Sequence, residues 1–175
     1  MIEFISLKLA QGIKRSIPEH PISVNVMRFS LSIIINAFMI ILLTLAVSLF
    51  TGNTRGAVIA LIAFPLLRQV SGGFHLKTGM MCVLVSSAML TAISFFNVER
   101  SYVLFLNMAS LLLVAIFAPS RIEKQSRIPK SFYPQLKIIS CLIVLVNFIV
   151  ASPVIAATFF IQGISLVSSL KGGEQ

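Results

Sequence analysis

The chain has 175 residues, 57% of them hydrophobic and only 11% charged, with a mean hydropathy of +1.00. A soluble domain of this size needs far more polar surface, so the composition excludes one and specifies an integral membrane protein. Fourteen Lys and Arg against five acidic residues give a net charge of +9. No aromatic-interleaved basic patch accompanies that charge, so nucleic acid is not the expected partner; basic loops beside apolar spans suit anionic lipid headgroups.

Residues 1–20 read as an interfacial amphipathic helix. Ile2, Ile5, Leu9, Ile13 and Ile17 follow helical spacing, Lys8, Gln11, Lys14 and Arg15 lie off that stripe, and Pro18 and Pro21 stop the helix. It can lie on the membrane or pack on the protein's own face. No secretory leader is expected, because the first strong apolar run begins only near Phe29 and has no fitting cleavage site. That run reaches about Phe50 and is followed by a turn at Thr51-Gly52-Asn53-Thr54. The next apolar run, Gly56 to Leu67, is short. Its dozen residues rise about 18 Å against a hydrocarbon core of about 30 Å.

Further spans are expected at about Gly79 to Phe96 and Tyr102 to Ala118, with a tight polar turn between them. A polar loop from Pro119 to Lys137 carries Arg121, Lys124, Arg127, Lys130 and Lys137. Runs at about Ile138 to Ala151 and Pro153 to Leu170 meet at Ser152-Pro153 as a hairpin. The basic N-terminal segment and the basic loop should both face the cytoplasm, which requires an even number of crossings between them. The short run therefore crosses, lengthened by Gln69 to Phe74 or by local thinning of the bilayer. The expected fold is all-α: a single membrane domain, residues 1–175, with about six transmembrane helices over 29–170, both termini inside and the segment Arg68 to Lys77 near the cytoplasmic face.

Chemistry concentrates between Arg68 and Cys82. His75 and Cys82 are seven residues apart, which on a straight helix puts them on one face but about 10.5 Å apart along the axis. That is too far for proton transfer, so a productive pair needs a break in the helix. Gly72-Gly73 supplies the freedom for positive φ, and Thr78 is a fitting N-cap for a helix opening at Gly79. Cys82 then falls near the positive end of that helix, with Lys77 adding positive charge. A thiol with an imidazole can perform acyl transfer. Each feature also has an ordinary reading: an interfacial His, an inert Cys, glycines for close helix packing, a snorkelling Arg68. Cys141, inside an apolar run, reads as a small buried hydrophobe, and a disulfide to Cys82 is not expected. The chain contains no Asp, so any third group would be Glu123, an Asn or a backbone carbonyl. No metal or other cofactor is called for.

At these residues the chain resembles the accessory gene regulator B family, the AgrB-type membrane cysteine peptidases of Gram-positive quorum sensing. The family pattern of Arg, three residues, Gly-Gly, one residue, His, six residues, Cys reads here as Arg68, Gly72-Gly73, His75 and Cys82. A second likeness is Ala118-Pro119-Ser120-Arg121-Ile122-Glu123-Lys124 with Ile128-Pro129 beyond; Arg121 departs from the acidic residue common there. The resemblance implies that His75 activates Cys82 to cut a short, AgrD-like pro-peptide through a thioester, and that a Cys or Ser of the peptide then closes a thiolactone or lactone. It also implies site-supporting roles for Arg68, Gly72, Gly73 and Lys77, a homodimer, and a place in virulence regulation. The competing readings are a transporter or assembly subunit, and a thiol acyltransferase or sensor. Glu99, Arg100 and Arg68 all fall at span ends, which argues against a proton- or ion-coupled carrier.

Overall fold

The computed structural model describes residues 2–19, 21–73, 78–120, 122 and 128–171. Seven α-helices form among these residues: α1 (Ile2–Ser16), α2 (Val24–Thr51), α3 (Thr54–Ser71), α4 (Gly79–Ser94), α5 (Arg100–Phe117), α6 (Tyr133–Val150) and α7 (Pro153–Lys171). A 3-10 turn at Lys130–Phe132 leads into α6. No strand forms among the described residues, as the sequence predicts.

The helix ends follow local chemistry. Ser23 caps α2 by accepting a bond from the Val26 amide, and α2 ends at Gly52 in the left-handed region, φ 73°. Asn53 then caps α3 through Gly56, while its Nδ2 donates to the Ser94 carbonyl at 2.6 Å. One asparagine thus joins the turn after α2 to the end of α4. At the α6–α7 hairpin, Ala151 takes φ 52°, and the Asn147 carboxamide accepts from the Ser152 amide and donates to the Ser152 carbonyl, both at 3.1 Å.

Two sequence expectations change. The doubtful run at Gly56 to Leu67 is the middle of one continuous 18-residue helix that carries Pro65 within it. At 1.5 Å per residue it rises about 27 Å, close to a bilayer core. It gains that length from Thr54-Arg55 and from Arg68 to Ser71, polar residues that hydropathy does not count as span. The second change is at α6, which begins at Tyr133, so Lys137 lies inside the helix rather than in the preceding loop. Three helices are long and apolar enough by themselves to cross a membrane: Val24–Thr51, Arg100–Phe117 and Lys130–Val150. Gly79–Ser94 and Pro153–Val167 are apolar but shorter. The architecture is the expected all-α one; by length and composition alone, three helices among the described residues qualify as spans.

Large apolar side chains face outward and small or polar ones inward. Ile149 is 88% exposed and Phe105 67%, whereas Thr44, Ser48, Ser110 and Ser140 are buried. Lipid removes the penalty for outward apolar groups, and small side chains let helix backbones approach. Helix α3 is central and packs on α2, α4, α6 and α7. Its Ala60 joins Leu90, Ile93, Val154 and Ala157 in one core. Its Ala63 and Leu67 join Val114, Val144, Phe159 and Leu166 in another. Helix α1 docks on α2 and buries Ile2, Ser6 and Ala10, while Phe4, Ile5, Leu9 and Ile13 stay exposed. The predicted stripe, Ile2 excepted, therefore faces away from the protein.

Candidate active site

Helix α3 delivers Arg68 in its last turn, and the chain then turns at Gly72 and Gly73, with φ 74° and 127°. Both values lie where only glycine is at ease, as the double glycine predicts. The turn is held from two directions. The Gly73 amide donates to the Ser120 carbonyl and the Ser120 amide to the Ser71 carbonyl, each at 2.9 Å, making an isolated parallel bridge between Gly72 and Ser120. A Cβ on Gly72 would collide with the Ser120 carbonyl oxygen. The two stretches that carry the family resemblance are therefore physically paired.

From the other direction comes Gln162 of α7, whose side chain is fully buried. Its Nε2 donates to the Gly72 carbonyl at 2.7 Å and to Ser71 Oγ at 3.1 Å. Its Oε1 accepts from Arg68 Nη1 at 3.4 Å and from Ser165 Oγ at 3.2 Å. The Arg68 guanidinium also sits over the Phe64 ring, 5.5 Å from its centroid, a cation–π arrangement. A Cβ on Gly73 would stand 2.9 Å from Ser165 Oγ and 3.3 Å from Gln162 Nε2. Gly72 is thus required by close approach as well as by φ, and Gly73 by φ.

Phe74, His75, Leu76 and Lys77 lie outside the described residues, as do Arg121, Glu123 and Lys124. The chain re-enters at Thr78, which caps α4 by accepting from the Met81 amide at 3.4 Å. Cys82 is the fourth residue of α4, half-buried, with its Sγ 4.0 Å from Ser86 Oγ. Arg68 lies within electrostatic reach of it. Asn36 of α2 packs on the same helix end: its Oδ1 would be 3.0 Å from a Cβ on Gly79 and is buried without a hydrogen-bond partner among the described residues. Cys141, the other free thiol, is on α6 beside Ala115, Lys137 and Leu142, apart from these residues.

The structure thus gathers Arg68, Gly72 and Gly73, and sets Cys82 on a capped helix start near Arg68. Sequence reasoning missed Gln162, Ser165 and Ser120 at this place. Gln162 was visible only as a polar residue inside an apolar run, and Ser120 contributes its main chain, which carries no sequence signal. A thiol at a helix start, within electrostatic reach of a half-buried cation and next in sequence to a rigidly held glycine turn, is suited to nucleophilic attack on a peptide carbonyl.

The family model described as accessory gene regulator B matches residues 6–171. An AgrB-like protein from Halalkalibacterium halodurans is 33% identical over 102 residues, 58% of this chain and about half, 52%, of that relative's length. The accessory gene regulator protein B of Staphylococcus aureus strain JH9 is 29% identical over 150 residues, 82% of this chain and 79% of the relative. That of the bovine strain RF122 / ET3-1 is 27% identical over the same shares. No solved structure matches the chain. With the family model spanning nearly all of its length, and apolar helices compatible with the membrane proteins of that family, the chain belongs to the accessory gene regulator B family.

Proposed function

We propose that the protein is a membrane-embedded cysteine endopeptidase that trims and cyclises a short quorum-sensing pro-peptide. The observation that carries the reading is Cys82 in the first turn of α4, a helix capped by Thr78, within electrostatic reach of Arg68, in a chain that keeps the family's His75–Cys82 spacing. His75 takes the proton of Cys82, and the sulfur attacks the scissile carbonyl carbon. The carbon–nitrogen bond breaks, and the C-terminal fragment leaves as an amine with the proton returned by His75. The N-terminal portion remains as a thioester on Cys82. A thiol or hydroxyl of the same bound peptide then attacks the thioester and yields its proton to His75. Cys82 departs, and a thiolactone or lactone is released. Exclusion of water favours this closure over hydrolysis.

In this reading the chain crosses the membrane six times, works at the cytoplasmic side as a homodimer, and is supported by anionic lipid. Arg68, Gly72, Gly73 and Lys77 support the site. Co-expression with the short pro-peptide of its genomic neighbourhood should yield a product lighter than the linear fragment by one water. Cys82→Ala should abolish it, and His75→Ala should slow it by about 10²- to 10⁴-fold. Full processing by Cys82→Ala would sink the proposal; unchanged processing by His75→Ala would assign another base.

A further inference from the structure

Gln162 has no counterpart in the reaction just described, yet it is the most completely engaged polar side chain in the molecule's interior. Both of its N–H donors and both lone pairs of its Oε1 are used, and it has no solvent exposure. An uncharged polar group in an apolar span is costly unless satisfied, and an aliphatic side chain would pack there without that requirement. Three of its four partners, Arg68, Ser71 and Gly72, come from the final turn of α3 and the glycine turn; the fourth, Ser165, stands one turn along α7 and braces Oε1. The Asn107–Asn147 pair between α5 and α6 shows plain helix pairing, with two bonds that join one helix to the other.

We infer that Gln162 is a positioning residue for the Cys82 nucleophile: its carboxamide fixes the Arg68 guanidinium and the Gly72 carbonyl together, so that the cation stays within electrostatic reach of the sulfur and the glycine turn that leads towards α4 keeps its shape. The amide is suited to this as no other side chain is. A carboxylate would hold Arg68 but offer no donor to the Gly72 carbonyl, and would compete with the sulfur for the cation. A methionine fills the volume and does neither. The inference rests on the assignment of Cys82 as nucleophile, and it is read most directly from thiol reactivity rather than peptide turnover.

The test uses the full chain in lipid nanodiscs, in a Cys141→Ser background, with N-ethylmaleimide, a small uncharged probe, at fixed pH. Gln162→Met is expected to slow Cys82 alkylation about tenfold. Arg68→Met should slow it as much, and the double variant should be no slower than either single one. A loosened fold would instead expose the thiol and speed its alkylation, so an increase overturns the inference. Gln162→Glu, which keeps an acceptor for Arg68, serves if Gln162→Met does not assemble, and should slow alkylation too; unchanged rates in Gln162→Glu overturn the inference as well. With a pro-peptide substrate, kcat should fall about tenfold while KM changes less than twofold. Slowed alkylation in a protein that cleaves no pro-peptide would defeat the peptidase reading and leave Gln162's role standing. Normal cleavage and normal alkylation in Gln162→Met would do the reverse.

Discussion

At the scale of single residues, the bridge between Gly72 and Ser120 divides its demands unequally. Gly72 must be glycine, because φ 74° is strained for any other side chain and a Cβ meets the Ser120 carbonyl oxygen. Ser120 gives only its main-chain N–H and C=O. Gly72→Ala is therefore expected to lose at least tenfold in pro-peptide processing and to lower the thermal midpoint in detergent. Ser120→Ala should leave both within about twofold and a few degrees. Ser120→Pro removes the amide that bonds the Ser71 carbonyl and should behave like Gly72→Ala. Equal effects of Ser120→Ala and Ser120→Pro would show that the hydroxyl, not the backbone, matters there.

At the scale of elements, the buried Asn107 and Asn147 tie α5 to α6: Asn147 Nδ2 donates to Asn107 Oδ1 at 2.9 Å, and Asn107 Nδ2 to the Asn147 carbonyl at 3.2 Å. Asn147→Leu strands Asn107 Oδ1, Asn107→Leu removes one acceptor from Asn147 Nδ2, and each should cost about 1–3 kcal/mol. The double variant should recover about 1 kcal/mol of the summed loss, as reversible unfolding in mixed micelles would measure. The start of α4 was legible in the sequence, because Thr78-Gly79 announces a cap through local chemistry. The continuity of α3 was not legible. Its ends are polar and gain their place only from packing and from the Gln162 and Ser120 bonds. For the same reason the role of Gln162 was not legible: nothing in sequence reveals which helix end lies opposite residue 162.

At the scale of the whole molecule, charge and helix count favour one arrangement. Helices α2 and α3 are joined by Gly52-Asn53 and α6 and α7 by Ala151-Ser152, links short enough that each pair runs antiparallel. With the basic segments inside, Gln69 should face the cytoplasm and Asn97, exposed between α4 and α5, the exterior. In a background lacking Cys82 and Cys141, Asn97→Cys should be labelled by an impermeant thiol reagent on intact cells, and Gln69→Cys only after permeabilisation. The opposite pattern would invert the proposed orientation. The separation in sequence between Arg68 and its amide partner adds a temporal dimension. Ninety-four residues part them, so a ribosome has already inserted the thiol-bearing helix long before α7 exists. A nascent or truncated chain carries Cys82 without Gln162, and the bonds on Arg68 and Gly72 are completed only when the last helix arrives. Under the proposed function, biogenesis itself keeps the half-made protein from presenting a finished site.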